Sequence, residues 1–216
     1  MADAAEQILA AGAGTLGLDI GPQTQQRLLQ FIAAIRRWNK VMNLTSILNP
    51  EEMVTRHLLD SLAISRHLHG RRVIDVGTGA GLPGIPLALV HPQIEFVLLD
   101  ARAKRTRFVR QMVIELELAN VECVHSRVED YHPSQRFDTV VSRAFSGLSD
   151  MLNCCAHLPD PDGRFIAMKG VDLEPELAAV PTGFAIAGIY PVEVPGLEGG
   201  RSVVDVRPEK TTGLAS

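Results

Sequence analysis

The stretch RRVIDVGTGAGLPGIPLALV, residues 71 to 90, constrains the fold more than any other part of the chain. An apolar run, RVIDV, passes into GTGAG, a bare glycine-rich loop, and then into a proline-bracketed apolar segment. A strand that turns through such a loop into a helix opens a doubly wound α/β sheet. Ligands of these sheets sit beyond the carboxyl ends of the strands, where strand order reverses. Gly77, Gly79 and Gly81 remove side chains so that the backbone can touch a ligand and adopt positive φ. Gly84 lets the following helix pack close to the sheet, and Pro83 is pre-set for a helix first turn. The free N–H groups of that turn favour an anionic group.

The rest of the chain supplies such a sheet. EFVLLD (95–100), VECVHS (121–126), FDTVVS (137–142) and RFIAMK (164–169) are short β-rich runs, separated mostly by helical patterns at 83–90, 102–118 and 147–157. The alternation predicts a mostly parallel sheet covered on both faces. Two later β-rich runs, 183–194 and 201–207, flank PGLEGG and predict an antiparallel hairpin at the sheet edge. Before the glycine stretch, Leu28, Phe31, Ile32, Ile35, Trp38 and Met42 recur at helical spacing. NPEE announces a second helix, with Asn49 as cap and Pro50 at its first position. The organisation predicted is an N-terminal helical extension over 1–70, one α/β domain over 71–210 and a frayed tail over 211–216.

Composition narrows the function classes. Hydrophobic residues are 46% of the chain, enough for a packed core. The opening MADAAEQILAAGAGTLGL carries Asp3 and Glu6 and has no basic region, so no signal peptide is expected. No run approaches the roughly 18 apolar residues of a membrane span. The reading is a soluble, cytoplasmic protein without a membrane partner, and a monomer by default. Cys123, Cys154 and Cys155 lack the spacing of a zinc site or a disulfide framework, and no metal is expected. Net charge is −4, but residues 71 to 112 hold seven basic and three acidic side chains. Positive charge thus gathers around the glycine loop, where it can steer a polyanion.

Two ligands compete for the loop. Gly79, Gly81 and Gly84 satisfy GxGxxG, and Asp100 lies about 20 residues on, as in dinucleotide-binding folds. That spacing alone leaves a nicotinamide-dependent oxidoreductase open. Against it stands Asp75, inside the strand just before the loop, where a pyrophosphate would approach. An acid there suits a ligand with a cationic end. D-x-G-x-G-x-G followed by an acid ending the second strand is the arrangement of S-adenosylmethionine enzymes. Asp100 would accept hydrogen bonds from both ribose hydroxyls, and Asp75 would sit near the ammonium end.

DVGTGAGLPGIPLAL, LLD with KR after it, SRVED, VVSRAF and AMKG occur in this order, with NLTSI and HLLDSL before them. Together they resemble the bacterial small-subunit ribosomal RNA guanine-N7 methyltransferases, the glucose-inhibited division protein B family, over roughly residues 30 to 207. The resemblance implies a class I, Rossmann-like methyltransferase fold. It also implies transfer of a methyl from S-adenosylmethionine, leaving S-adenosylhomocysteine, to N7 of a guanine in 16S rRNA of the small subunit or its assembly intermediate. By the same resemblance Gly77 and Leu82 line the cofactor pocket, Val128 and Glu129 hold the adenine, and Arg143 completes the cofactor contacts. Where the family often has Glu-Arg-His, this chain has Gly200, Arg201 and Ser202. The histidine's role therefore does not carry over, while Arg201 remains available.

The chemistry agrees. Guanine N7 is a lone-pair acceptor in the base plane, so it attacks a methyl without first losing a proton. No general base is required, and alignment carries the reaction. Ser142 and Arg143, ending the fourth strand, are expected to position the reactants, and no Ser/His/Asp grouping appears. Phe145 is a candidate for stacking a flipped-out base, against core packing. Lys169 is a candidate phosphate contact, against a surface lysine. Arg102, Lys104, Arg105, Arg107 and Arg110 follow Asp100 without an intervening acid. With Arg36, Arg37 and Lys40 they can form a track for rRNA phosphates. His57 and Asp60, one helical turn apart, are secondary candidates at the rim. A non-catalytic RNA- or ribosome-binding module is the remaining alternative.

Overall fold

The computed structural model of the chain describes residues 4–143, 145, 147–170 and 172–209. The tail expected over 211–216 lies outside the described residues. Helices α1 (Ala4–Thr15) and α2 (Pro22–Met42) come first, followed by a helical run made of α3 (Pro50–Met53), a π-helical segment (Val54–Leu59) and α4 (Asp60–Leu62). A 3₁₀ turn (Ser65–His67) leads to β1 (Arg72–Val76), α5 (Gly84–Val90), β2 (Glu95–Asp100), α6 (Ala103–Glu115) and β3 (Val121–His125). Then come β4 (Phe137–Ser142), α7 (Leu148–Cys155), β5 (Pro159–Lys169), α8 (Glu174–Ala178), β6 (Phe184–Val192) and β7 (Arg201–Pro208).

The strands form one seven-stranded sheet in the order β3-β2-β1-β4-β5-β7-β6. Strands β1 to β5 pair in parallel, and β7 runs antiparallel between β5 and the edge strand β6. This is the class I methyltransferase topology. Strand order reverses between β1 and β4, which places the ligand crevice where the glycine loop leaves β1.

Alternation along the strands builds a core on each face. Val73, Phe96, Leu98, Val141 and Ile166 pack with α1, α2, the π segment, α5 and α6. Ile74, Val97, Leu99, Val140 and Phe165 face the other way, onto Leu148, Met151, Leu152 and Cys155 of α7. The predicted stripe of α2 is buried at Leu28, Phe31, Ile32 and Ile35. Phe31 and Trp38 both meet Phe108 of α6, with ring centroids 6.5 and 6.0 Å apart. Asn49 caps α3 by accepting from the N–H groups of Glu51 and Glu52, as its sequence predicts.

The structure departs from the sequence expectation in four places. Helix α1 is not foreshadowed in the sequence, because Ala5, Gly12 and Ala13 dilute its stripe, yet Gly12 abuts Leu59 so closely that a Cβ would overlap it. Helix α8 is too short to carry a period. Strand β5 starts at Pro159, earlier than the period suggests, because PDPDG reads as a turn. The run from Pro50 to Leu62 contains a π segment where the sequence predicts one α-helix. Val54, Leu58 and Leu62 recur every four residues, which both kinds of turn accommodate, so periodicity does not reveal it.

Candidate active site

The loop after β1 is set by backbone first. Gly77, Gly79 and Gly81 have φ of 72°, 59° and 82°, which L side chains rarely adopt. The N–H groups of Gly77 and Thr78 donate to the carbonyl of Leu99, at 2.8 and 3.1 Å, tying the loop to the end of β2. A Cβ on Gly79 would meet nothing closer than 3.9 Å, so its absence leaves space above the backbone. At Gly84 a Cβ would overlap Leu98 and lie 2.9 Å from Asp75 Oδ2. Helix α5 starts at Gly84, with Pro83 as its cap residue, one position outside the turn where the sequence puts it.

Asp75 lies fully buried beneath this loop. Its Oδ2 accepts from the Thr78 hydroxyl at 2.6 Å and from the Gly84 N–H at 2.9 Å. Its Oδ1 has no hydrogen-bond partner among the described residues. Burial pushes the Asp75 pKa up to about 6, against the pull of those two bonds and of Arg143. Asp100, ending β2, accepts from the Gly79 N–H through Oδ2 at 2.9 Å and from the Arg102 N–H through Oδ1 at 2.8 Å. Each oxygen keeps a further lone pair for a ligand hydroxyl.

A cavity of about 520 Å³ opens above the loop, lined among others by Gly77, Gly79, Leu82, Asp100, Arg102 and Arg105. The helical extension closes its other side with Leu44, Thr45 and His57. Thr45 is fixed in turn by Asn39, whose side chain bonds both its N–H and its carbonyl at 2.9 Å. The Thr45 hydroxyl lies 3.0 Å from His57 Nε2. The His57 pKa is lowered by burial and then by the Arg143 charge, so the ring is neutral at neutral pH.

A second cavity of about 410 Å³ adjoins the first, and His57 and Arg143 line both. Its walls include Arg56, Asp60, Phe145, Lys169 and Arg201. Asp60 is 4% exposed and forms ion pairs with two arginines. Oδ2 takes Arg143 Nη1 at 3.2 Å and Oδ1 takes Arg201 Nε at 3.0 Å. Lys169 pairs with Glu176 of α8 at 2.6 Å, and the same Glu176 oxygen accepts from the Leu148 N–H.

The sequence-predicted residues thus divide. Gly77, Gly79, Leu82, Asp100 and Arg143 gather at the first cavity, whose lining does not include Asp75 or Gly81, while Phe145, Lys169 and Arg201 gather at the second. Ser142 is buried, and its hydroxyl donates to the Val76 carbonyl at 2.8 Å, clamping β4 to the end of β1. Val128 is buried in the α7-side core. Glu129 is exposed beside Cys154, whose thiol pKa is raised by burial and then by that carboxylate. Neither lines the first cavity. Arg105 bonds the Asn43 carbonyl at 2.8 Å. Arg102, Lys104, Arg107 and Arg110 are exposed, as are Arg36 and Lys40 of neighbouring α2, while Arg37 pairs with Glu115. Lys169 is neither a free phosphate contact nor a surface lysine, since its side chain is 9% exposed and ion-paired.

Sequence reasoning missed Thr78, Thr45 and Glu176, and gave His57 and Asp60 only a secondary place. The histidine at the crevice comes from the helical extension, so a search of the loops after the strands could not find it. The available signal was NLTSI and HLLDSL, which stand out from an otherwise ordinary helical region.

The family model described as rRNA small subunit methyltransferase G matches residues 24–204. A ribosomal RNA small subunit methyltransferase G from Shewanella amazonensis is 53% identical over 84% of this chain and 88% of its own. One of the same name from an Enterobacter species is 47% identical over 89% of this chain and 93% of its own. Among solved structures, the glycopeptide N-methyltransferase MtfA with S-adenosylhomocysteine superposes at a TM-score of 0.61 and 11% identity, over 71% of this chain and 87% of its own. An S-adenosylmethionine-dependent methyltransferase from Thiobacillus denitrificans gives 0.51 and 14%, over 81% of this chain and 98% of its own. At these identities the structural likeness carries the fold.

Proposed function

Because the chain belongs to the rRNA small subunit methyltransferase G family, we propose that it methylates N7 of a guanine in 16S rRNA of the small ribosomal subunit or its assembly intermediate. It is an S-adenosylmethionine-dependent methyltransferase. It works as a cytoplasmic monomer. No helix among the described residues is long and apolar enough to cross a membrane.

The carrying observation is that two cavities of different character meet at His57 and Arg143. The first fits S-adenosylmethionine by its donor set. Asp100 has lone pairs left for two ribose hydroxyls, Gly79 leaves room for the ligand, and the unpartnered Asp75 Oδ1 gives an ammonium group its counter-charge from below the loop. Asp100 in the cavity wall and Asp75 buried beneath the loop both put negative charge where a pyrophosphate would lie, so the nicotinamide reading is not favoured. The second cavity, with Arg56, Arg143 and Arg201 around it and Phe145 in its wall, suits an extruded purine nucleotide.

When bound, S-adenosylmethionine supplies a sulfonium methyl that a ring-nitrogen lone pair takes in line, releasing the neutral thioether. The chain's part is alignment. Asp100 and the loop backbone hold the adenosine end, and the Ser142 clamp fixes the ends of β4 and β1 beside the transfer line. Arg143 sits at the seam, restrained by Asp60, with Phe145 available as a stacking surface. Because N7 carries no proton, the neutral His57 has none to remove. Arg102, Lys104 and Arg107, with Arg36 and Lys40, give rRNA phosphates an exposed basic face.

The test is transfer of labelled methyl from S-adenosylmethionine to unmodified small subunits, with large subunits as control. Label enters the small subunit alone, and Asp100→Ala weakens S-adenosylhomocysteine binding by about tenfold or more, as expected for losing charge-assisted bonds. Label confined to large subunits would overturn the reading, as would NADH binding in place of S-adenosylhomocysteine.

A further inference from the structure

Arg143 directly follows β4 and Arg201 begins β7, two strands with β5 between them. Neither guanidinium would hold a fixed place by itself, since both side chains are about one-third exposed, at 31% and 35%. What joins them is Asp60, which comes from neither strand but from the helical extension, directly after the π segment. Each carboxylate oxygen takes one arginine, so the three side chains form a closed bracket in the wall of the second cavity. The bracket uses the two arginines differently. Arg143 donates Nη1 to Asp60 and, at 3.4 Å, to the Arg56 carbonyl. Arg201 donates only Nε, which leaves both terminal nitrogens without a partner among the described residues. A guanidinium held by Nε presents its terminal edge as a fork, the geometry that matches two oxygens of a phosphate. Arg56 lines the same cavity but pairs through Nε with Glu52 at 3.0 Å, and Lys169 is neutralised by Glu176.

We propose that Asp60 is a positioning residue that locks Arg143 at the seam and turns the free edge of Arg201 into a seat for one backbone phosphate of the target RNA. The proposal rests on the RNA methyltransferase reading and deepens it. The phosphate seat fixes where the extruded nucleotide enters, and the restrained Arg143 fixes where its base stops. A carboxylate is a costly thing to keep in a cavity built for a polyanion, because on charge alone it weakens binding. Its presence is explained when geometry, not charge, limits the reaction.

That contrast makes the test sharp. The full chain is assayed with unmodified small subunits as wild type, Asp60→Asn and Arg201→Gln, reading kcat, KM, S-adenosylhomocysteine affinity and the salt dependence of RNA binding. Asp60→Asn is expected to keep S-adenosylhomocysteine affinity and to bind RNA as tightly or more tightly, while kcat falls by about tenfold or more. Arg201→Gln is expected to raise KM and to flatten the slope of log affinity against log salt by about 0.7, the value of one single-stranded phosphate. An unchanged kcat in Asp60→Asn, or a parallel loss of cofactor affinity, overturns the proposal. Should Asp60→Asn fail to fold, the salt slope of Arg201→Gln decides, and an unchanged slope overturns the phosphate seat. A wild-type protein that methylates no small-subunit RNA refutes the proposed function itself, which the variants do not address.

Discussion

Asp75 and Asp100 stand at the ends of neighbouring strands and meet different demands. Asp100 keeps lone pairs towards the cavity, whereas Asp75 is sealed beneath the loop with one oxygen satisfied and the other not. Burial raises the Asp75 pKa from 3.8 to about 6. The folded chain therefore binds this proton more tightly than the unfolded chain does, so the charge on Asp75 costs stability above that pKa. The cost shrinks as the pH falls through 6 towards 3.8. Asp75→Asn keeps an acceptor for Thr78 and Gly84 but carries no charge. It is expected to raise the melting temperature at mildly alkaline pH, to lose that advantage on acidification, and to bind S-adenosylhomocysteine more weakly. A melting difference that does not change with pH would contradict this account. Both acids were legible in the sequence because the loop motif fixes their positions. Glu129 was assigned by resemblance, and its exposure beside Cys154 leaves any contact with adenine to be proposed rather than seen. His57 was hard to read because its importance comes from Thr45 and Arg143, which lie close to it only in the folded chain.

Among the elements, the β1–loop–α5 unit depends on close approach. Leu98 and Asp75 fill the space where a Gly84 side chain would stand. Gly84→Ala is expected to destabilise the chain by about 1–3 kcal/mol, the usual cost of overpacking. Urea denaturation checks it, and a loss below about 0.5 kcal/mol, within the range of neutral surface substitutions, would show that the helix has room to move. The exposed face of α6 makes a different kind of claim. Lys104→Ala with Arg107→Ala should flatten the salt dependence of RNA binding by about 0.7 for each phosphate that is no longer neutralised. An unchanged slope would mean that these residues are only solvated. Arg105 belongs to the same basic run, yet it anchors the Asn43 carbonyl and lines the first cavity, so its removal should disturb that cavity instead. A run of like charges in sequence does not reveal which member turns inward. The π segment was equally hidden, since Val54, Leu58 and Leu62 recur every four residues, a spacing that an α-helix also gives.

Across the whole molecule, the alternating pattern of strands and helices was enough to predict a two-faced parallel sheet with an antiparallel edge, because each strand's period and each turn's glycines are local properties. What locality could not supply is the way the helical extension shares the α5–α6 core and reaches over the crevice with Leu44, Thr45, His57 and Asp60. The site is therefore composite. The sheet brings the glycine loop and the two arginines, and the extension brings residues that line both cavities. On the proposed reading such a site aligns reactants, and its neutral His57 finds no proton on N7 to take, which makes the atom that receives the methyl the decisive quantity. The measurement is mass spectrometry of nucleosides from small-subunit RNA methylated by the purified chain. The expected result is 7-methylguanosine as the new methylated nucleoside. Methyl on N1 or N2 of guanine, or on a ribose hydroxyl, would require proton removal and would contradict a mechanism built on alignment alone.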